Sequence, residues 1–83
     1  MAVRAYALVR TEPGMDQEVA AAVAKATFPG VRILHSDAVV GPFDVIVEFE
    51  ADNLDVLGEA LGTGRRMVPG MAHTTTCLVI RLA

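Results

Sequence analysis

One four-residue pattern occurs twice in this chain, as Phe28-Pro29-Gly30-Val31 and as Val68-Pro69-Gly70-Met71. Each copy lies between a segment with helical spacing of apolar residues and a segment with strand-like composition. Because proline gives up a backbone donor and glycine accepts positive φ, the pair ends a helix and reverses the chain. The sequence therefore divides into two strand–helix–strand halves, and no other feature constrains the fold as strongly.

Alternation and helical spacing place the individual elements. The acidic residues Asp16 and Glu18 suit the first turn of a helix that begins near Met15, and Asp52 or Asn53 can cap a second helix. Strands are predicted over residues 3–10, 31–40, 43–50 and 73–82. Joining the two halves at Gly41-Pro42 predicts one domain over residues 1–83 of the α+β class, with ferredoxin-like βαββαβ order. Its four-stranded antiparallel sheet carries both helices on one face.

The two faces of this sheet differ in polarity. We expect the cleaner apolar set to lie under the helices: Val45, Val47, Phe49, Leu78 and Ile80. The opposite set mixes apolar residues with charges on the open face: Tyr6, Leu8, Ile46, Cys77 and Val79 with Arg4, Asp44, Glu48 and Arg81. The chain has 83 residues and is 53% hydrophobic, more than a small monomer hides easily. An apolar patch rimmed by charges predicts a homodimer that packs sheet to sheet.

Charge and cysteine content exclude several function classes. Ten acidic and seven basic residues give a net charge of −3, which is the wrong sign for nucleic-acid binding. Cys77 is the single cysteine, so an intrachain disulfide and a cysteine-based zinc cluster are excluded. No signal peptide or membrane-length apolar run is present, which predicts a soluble cytoplasmic protein without a membrane interaction. No metal-ligand spacing or cofactor motif is found.

The residues that could carry chemistry are few. Asp44 follows the Gly41-Pro42 turn, where it can either hydrogen-bond the turn backbone or bind a ligand. The run Thr74-Thr75-Thr76 suits a strand edge, and its hydroxyls also suit a small polar ligand. His35 and His73 are candidate acid/base groups, but no hydrolase, P-loop or zinc motif accompanies them.

Several of these stretches together carry a family resemblance. They are Val40-Gly41-Pro42-Phe43-Asp44-Val45-Ile46-Val47, Asp52-Asn53-Leu54-Asp55, Val68-Pro69-Gly70-Met71, Thr74-Thr75-Thr76-Cys77 and the opening Ala5-Tyr6-Ala7-Leu8-Val9-Arg10-Thr11. At matching spacing over nearly the whole chain, they resemble the effector-binding (RAM) domain of the Lrp/AsnC transcription regulators. The Gly-Pro-Phe-Asp turn and the threonine run are the specific part of the resemblance.

The resemblance implies a ferredoxin-like domain that dimerises through its sheet and assembles further into an octamer-like ring. It implies a small-molecule effector, an amino acid or related metabolite, bound by Gly41, Phe43, Asp44, Thr74, Thr75 and Thr76. Turn N–H groups and threonine hydroxyls suit a carboxylate, and an aspartate suits an ammonium. The chain begins at its first strand, as the stand-alone members do, so direct DNA binding is not implied. Full-length Lrp/AsnC relatives are candidate partners.

The sequence departs from the family at Gly62-Thr63-Gly64-Arg65-Arg66, where a more apolar helix end is usual. We therefore expect weaker packing of the second helix there. The leading hypothesis is a non-enzymatic module that binds a small molecule, needs no cofactor and forms oligomers. The alternatives are a small dimeric α+β-barrel enzyme of the monooxygenase or isomerase type, using His35 or His73, and a purely structural oligomerisation domain.

Overall fold

The computed structural model of the protein describes residues 2–80. Six elements follow one another in the order that the repeated Pro-Gly pattern predicts. They are β1 (Val3–Thr11), α1 (Asp16–Lys25), β2 (Val31–Ala38), β3 (Val45–Ala51), α2 (Leu54–Met67) and β4 (Met71–Leu78). The strands form one antiparallel sheet in the order β2-β3-β1-β4. The ferredoxin-like βαββαβ prediction is thus confirmed.

The core lies between one face of the sheet and both helices. In the central pair β1 and β3, Ala5 lies opposite Phe49 and Val9 lies opposite Val45. Every second residue of these strands is buried against apolar residues from the helices, which form one cluster with them: Val19, Ala20 and Val23 of α1, and Leu57 of α2. The predicted inward direction of Val45, Val47 and Phe49 is confirmed.

The helix ends follow from local chemistry. The side chain of Asn53 accepts a 2.9 Å hydrogen bond from the Val56 N–H, so Asn53 is the residue that caps α2. Helix α1 begins at Asp16 after Met15, whose side chain makes no capping bond. Helix α2 stays helical to Met67 although it contains three glycines, and Leu57 is its only buried residue within the part of the chain that is described. The predicted weak packing of α2 fits this sparse burial.

The end of the last strand differs from the prediction. Strand β4 ends at Leu78 rather than at residue 82, and Arg81 and Leu82 lie outside the described residues. Leu78 is 46% exposed and Ile80 is 79% exposed, so placing these two residues in the core was wrong. Leu78 does pair with Ala5 in the helix-facing register, but β4 is an edge strand. The alternation along the strand directs such residues toward the helix side of the sheet, but they stay in solvent where no helix packs over them.

Candidate functional site

The connection between β2 and β3 is fixed to the rest of the sheet at its base, where it joins the two strands. The Val39 N–H donates to the Asp44 carbonyl at 2.8 Å, and the Asp44 N–H donates to the Val9 carbonyl at 2.8 Å. Within this connection Gly41 has a φ of 157°, which L side chains rarely adopt. The turn is therefore anchored both to itself and to the end of β1.

The Asp44 carboxylate extends this anchorage. Its Oδ2 atom accepts a 2.8 Å hydrogen bond from the Thr11 backbone N–H and lies 3.4 Å from the Thr11 hydroxyl. Asp44 thus ties the turn to a strand that lies 33 residues away in sequence. Because a carboxylate offers about four acceptor positions, these contacts use only part of its capacity. The half-buried Asp44 combines a structural bond with room for a second partner.

A cation lies over the ring of Phe43, the residue before Asp44. The guanidinium carbon of Arg10 lies 5.7 Å from the centroid of the Phe43 ring, within the range of a cation–π contact. Arg10 precedes Thr11, and Phe43 precedes Asp44, so two neighbouring residues of β1 contact two neighbouring residues of the turn. We call Arg10, Thr11, Phe43 and Asp44 the rim cluster.

Arg10 and Thr11 were not among the site residues that the sequence predicted. Both are ordinary residues at the end of an alternating strand, where an arginine usually points to solvent. The alternation along β1 does place Arg10 on the same face of the sheet as Tyr6 and Leu8, and this is the only indication that the sequence gives. Their contacts with the turn depend on β1 lying next to β3, as the ferredoxin-like order has it, and on the register of these two strands, which the sequence pattern does not specify.

The predicted threonine run divides between the two faces of the sheet. Thr74 lies opposite Val9 and Thr76 opposite Ala7, on the helix-facing side, whereas Thr75 lies opposite Leu8 on the open face. Consecutive residues of a strand point to opposite faces, so one surface does not present all three hydroxyls. Thr75 shares the open face with Arg10, as a diagonal neighbour at roughly 7–8 Å in such a pair.

A cavity of about 60 Å³ lies under α2, and we call it the inner cavity. Sheet residues Val9, Val47 and Phe49 line one side, and Ala60, Leu61 and Gly64 of α2 line the other. Thr74 also lines it, but the Thr74 Oγ1 atom is itself buried, and it has no hydrogen-bond partner among residues 2–80. The inner cavity is separate from the rim cluster, none of whose residues lines it.

The open face carries a polar network around Glu48. Its Oε2 atom accepts a 3.3 Å hydrogen bond from the Tyr6 hydroxyl and lies 3.4 Å from Arg4 Nε. The other carboxylate oxygen lies 3.8 Å from His35 Nε2. The apolar residues around this network, Leu8 and Ile46, are half-buried in the isolated chain.

The two histidines lie on opposite edges of the sheet. His35 is in β2 and His73 is in β4, with β3 and β1 between them. Three strand spacings separate them by roughly 14 Å. This distance does not allow both side chains to act on one small substrate.

Arg32 lies between two carboxylates on the surface. Arg32 donates hydrogen bonds to Asp52 at 3.1 Å and to Glu50 at 2.9 Å, and these bonds raise the pKa of the Arg32 guanidinium. Among residues 2–80, no group of three or more His, Cys, Asp or Glu side chains could hold a metal ion. No helix in the described part of the chain has the length and apolar character needed to cross a membrane.

The chain resembles several proteins of known structure. It is 29% identical to the hypothetical protein PHS023 from Pyrococcus horikoshii, with a TM-score of 0.79 over 96% of this chain and 92% of that one. It is 28% identical to the protein FFRP-DM1, with a TM-score of 0.80 over 94% of this chain and 99% of that one. The sequence matches no protein-family model, and it has no match among curated proteins.

A more distant neighbour is a transcriptional regulator. It is NMB0573 from Neisseria meningitidis, whose structure is a complex with L-Met. Its identity to this chain is 15%, and its TM-score is 0.76 over 95% of this chain and 50% of the regulator. At this identity the likeness establishes the fold, which this chain shares with one half of a regulator.

Proposed function

We propose that the protein is a non-enzymatic module that binds a small zwitterionic molecule, an amino acid, at the rim cluster. The observation that carries this proposal is the placement of opposite charges at one end of the sheet. Asp44 is held by Thr11, and the Arg10 guanidinium lies 5.7 Å from the Phe43 ring. An amino acid has an ammonium and a carboxylate on one carbon, so it needs an anion and a cation within reach of each other.

Both charges are held before a ligand arrives. The Thr11 N–H fixes one oxygen of Asp44, and the aromatic ring limits the directions that the Arg10 side chain can take. A group held in its binding geometry loses less entropy on binding, which favours affinity. Thr75 is on the same face as Arg10, and its hydroxyl is the member of the threonine run that we assign to this ligand.

The neighbours support the choice of ligand class. FFRP-DM1 is an Lrp/AsnC-type protein, and the neisserial regulator with the same fold was crystallised with L-Met. This precedent makes the amino acids the first class to screen. The resemblance of the Gly41-Pro42-Phe43-Asp44 turn to Lrp/AsnC effector domains supports the same choice.

We further propose that the open face forms a homodimer. Leu8 and Ile46 are half-buried there beside a network of both charge signs, Arg4 and Glu48, which a two-fold related copy can complement. Assembly of dimers into an octamer-like ring, and association with full-length Lrp/AsnC relatives, belong to the same proposal. The module then acts as a sensor or adaptor for transcription regulation.

The proposal includes the absence of turnover. His35 lies 3.8 Å from Glu48, and His73 lies on the far edge of the sheet, so each histidine would have to act without the other. Incubation with an amino acid that binds should therefore leave the ligand unchanged, as mass spectrometry can check. Turnover that disappears on His35→Gln or His73→Gln would favour the enzyme alternative.

The decisive test is a thermal-shift screen of the twenty amino acids, followed by calorimetry. A ligand that binds only the folded protein, at a concentration of about 100 times its Kd, stabilises it by roughly 2.7 kcal/mol, which raises the Tm by about 10 °C or more. We expect at least one amino acid to do so. The test variant is Arg10→Met, which keeps an aliphatic side chain over Phe43 but removes the charge, and it should lose the shift. A screen without any shift, or a shift unaffected by this substitution, would contradict the assignment of the rim cluster.

A further inference from the structure

The inner cavity is apolar except where it opens to solvent. Among the described residues that line it, only Thr74 and Arg65 have oxygen or nitrogen in their side chains, and the Thr74 Oγ1 atom is itself buried and therefore not accessible from the cavity. Arg65 is the one lining residue of the described chain that is exposed. A residue that both lines a cavity and is exposed lies at its opening, so the only charge of the lining is at the mouth.

Arg65 differs in this respect from its neighbour Arg66. Both lie in the last turn of α2, where the helix dipole favours a cation, and neither forms an ion pair with an acidic side chain among residues 2–80. Arg66 does not line the cavity, and its Nη1 atom lies 3.8 Å from a Cβ built on Gly62. The helix dipole accounts for a cation at either position, whereas contact with the cavity belongs to Arg65 alone.

The glycine before Arg65 helps to keep the cavity open. A Cβ built on Gly64 would lie 3.8 Å from Phe28 Cζ, an ordinary contact distance, so a side chain here would fill part of the space above that ring. Gly64 and Arg65 both belong to the segment over residues 62–66, where the sequence departs from the Lrp/AsnC effector domains. The open cavity and the cation at its mouth thus come from the same departure.

The size and lining of the cavity limit what it can hold. Its volume of about 60 Å³ is several times the roughly 10–15 Å³ that a water needs, but less than half of the ~150 Å³ cavity known to bind benzene. A chain of about three to five carbons matches this range. Water is a poor occupant because the described walls inside the mouth offer it no side-chain partner, whereas each methylene that moves from water to apolar surroundings favours binding by about fourfold.

We propose that the inner cavity binds a short-chain aliphatic monocarboxylate. The chain lies among the apolar side chains beneath α2, and the carboxylate stays at the opening, where the Arg65 guanidinium binds it. Arginine suits this role because its planar fork of N–H donors matches the two oxygens of a carboxylate. No acidic residue lines the cavity in the described part of the chain, so none repels an anion there. This site does not depend on the rim cluster or on an amino-acid ligand.

The test uses pentanoate as the probe of the folded protein, with propanoate and butylammonium for comparison. We expect pentanoate to give saturable shifts in ¹H–¹⁵N spectra at the amides of Leu61, Gly64 and Val68. Propanoate has two methylenes fewer and should bind about tenfold more weakly. Butylammonium carries the same four-carbon chain with the opposite charge, so it should not bind in the same concentration range. Shifts that stay linear with pentanoate, or equal binding of butylammonium, would overturn the proposal.

A pair of arginine variants tests the cation. Arg65→Met removes the charge at the mouth and should weaken pentanoate binding by about threefold to tenfold, since an exposed cation contributes less than a buried one. The matched control is Arg66→Met, which removes the same charge from the adjacent residue that does not line the cavity. It should bind pentanoate nearly as tightly as wild type. Equal binding in Arg65→Met and wild type would overturn the proposal.

A second pair tests the cavity itself. Ala60→Leu extends a side chain from the lining into the cavity and should abolish pentanoate binding. Gly58→Leu is its control, because it introduces the same side chain on the same helix where a Cβ meets no atom within 4 Å. Should Ala60→Leu fail to fold, the two arginine variants decide. A negative amino-acid screen would leave these results standing, and the reverse also holds.

Discussion

Asp44 and Thr11 are joined by a 2.8 Å hydrogen bond from the Thr11 backbone N–H to the Asp44 carboxylate. This bond crosses from the β2–β3 turn to the end of β1, so the turn is part of the sheet rather than a free loop. It also separates two roles of Asp44 that can be measured independently. One role is to accept the bond from Thr11, and the other is to supply negative charge to a ligand.

The first prediction separates these roles with two substitutions. Asp44→Asn keeps an oxygen that can accept the Thr11 N–H, so the free energy of unfolding should fall by less than about 1 kcal/mol. The affinity for the amino acid should fall by about tenfold or more, because a bond to a charged group contributes roughly 1.5–3 kcal/mol. Calorimetry and urea unfolding measure the two effects.

Asp44→Ala is the comparison for that experiment. It leaves the Thr11 N–H without its partner, so unfolding should become easier by about 1–3 kcal/mol. Asp44 would be a turn residue only, and the ligand site would lie elsewhere, if Asp44→Asn bound the ligand as tightly as wild type.

A second prediction concerns the threonine run. Thr75→Val should weaken amino-acid binding, because Thr75 shares the open face with Arg10, while Thr76→Val should leave it unchanged, since Thr76 lies opposite Ala7 on the helix side. The expected loss for one neutral hydrogen bond is about threefold to tenfold. Titration calorimetry of the two variants checks it. Equal losses in both would mean that the ligand does not distinguish the faces of β4.

A third prediction concerns the open face. Light scattering at micromolar concentration should show at least a dimer, and Leu8→Arg should give monomers because it places an unpaired charge in an apolar contact. Val40→Arg is the control, since Val40 is fully exposed at the turn tip and should leave the dimer intact. A wild-type monomer under these conditions would contradict the proposed interface.

The fourth prediction compares two glycines with positive φ. A Cβ on Gly70 would lie 2.7 Å from Met15 Cε, whereas a Cβ on Gly14 meets no atom within 4 Å. Gly14→Ala should cost about 1–2 kcal/mol of stability for its backbone conformation alone. Gly70→Ala should cost about 1–3 kcal/mol more, since Met15 and Val19 must move. Urea unfolding at one fixed protein concentration measures the difference, and equal costs would mean that the crowding is relieved freely.

The fifth prediction concerns DNA. With a net charge of −3, this chain by itself should not bind DNA in a sequence-selective way. A gel-shift titration of the purified chain against a pool of random duplexes should select no sequence. Selective binding that resists salt would contradict this expectation and would require a basic surface formed on assembly.

The sequence by itself determined the element order and the inward face of the central strands. Both are local properties. Pro29-Gly30 and Pro69-Gly70 lie directly before β2 and β4 and separate these strands from the preceding helices, although α1 already ends at Lys25. The two-residue period from Val45 to Phe49 specifies which side chains point to the core. Local chemistry also limited the cap of α2 to Asp52 or Asn53, and the structure selects Asn53. A segment's own residues are sufficient to set these features, so the pattern reveals them.

The tertiary structure decided which residues meet. The strand order β2-β3-β1-β4 brings Asp44 to Thr11 and Arg10 to Phe43, and strand register assigns Thr74 and Thr75 to opposite faces. Leu78 and Ile80 are apolar, but no helix packs over them. They remain exposed, and their predicted burial was wrong. These outcomes depend on which strands pair and on where α2 packs against the sheet. Both are decided by interactions between segments that are distant in sequence. A local period carries no information about a partner tens of residues away. The sequence therefore indicated Phe43 and Asp44 but not their contacts with Arg10 and Thr11, and it gave no sign of the inner cavity.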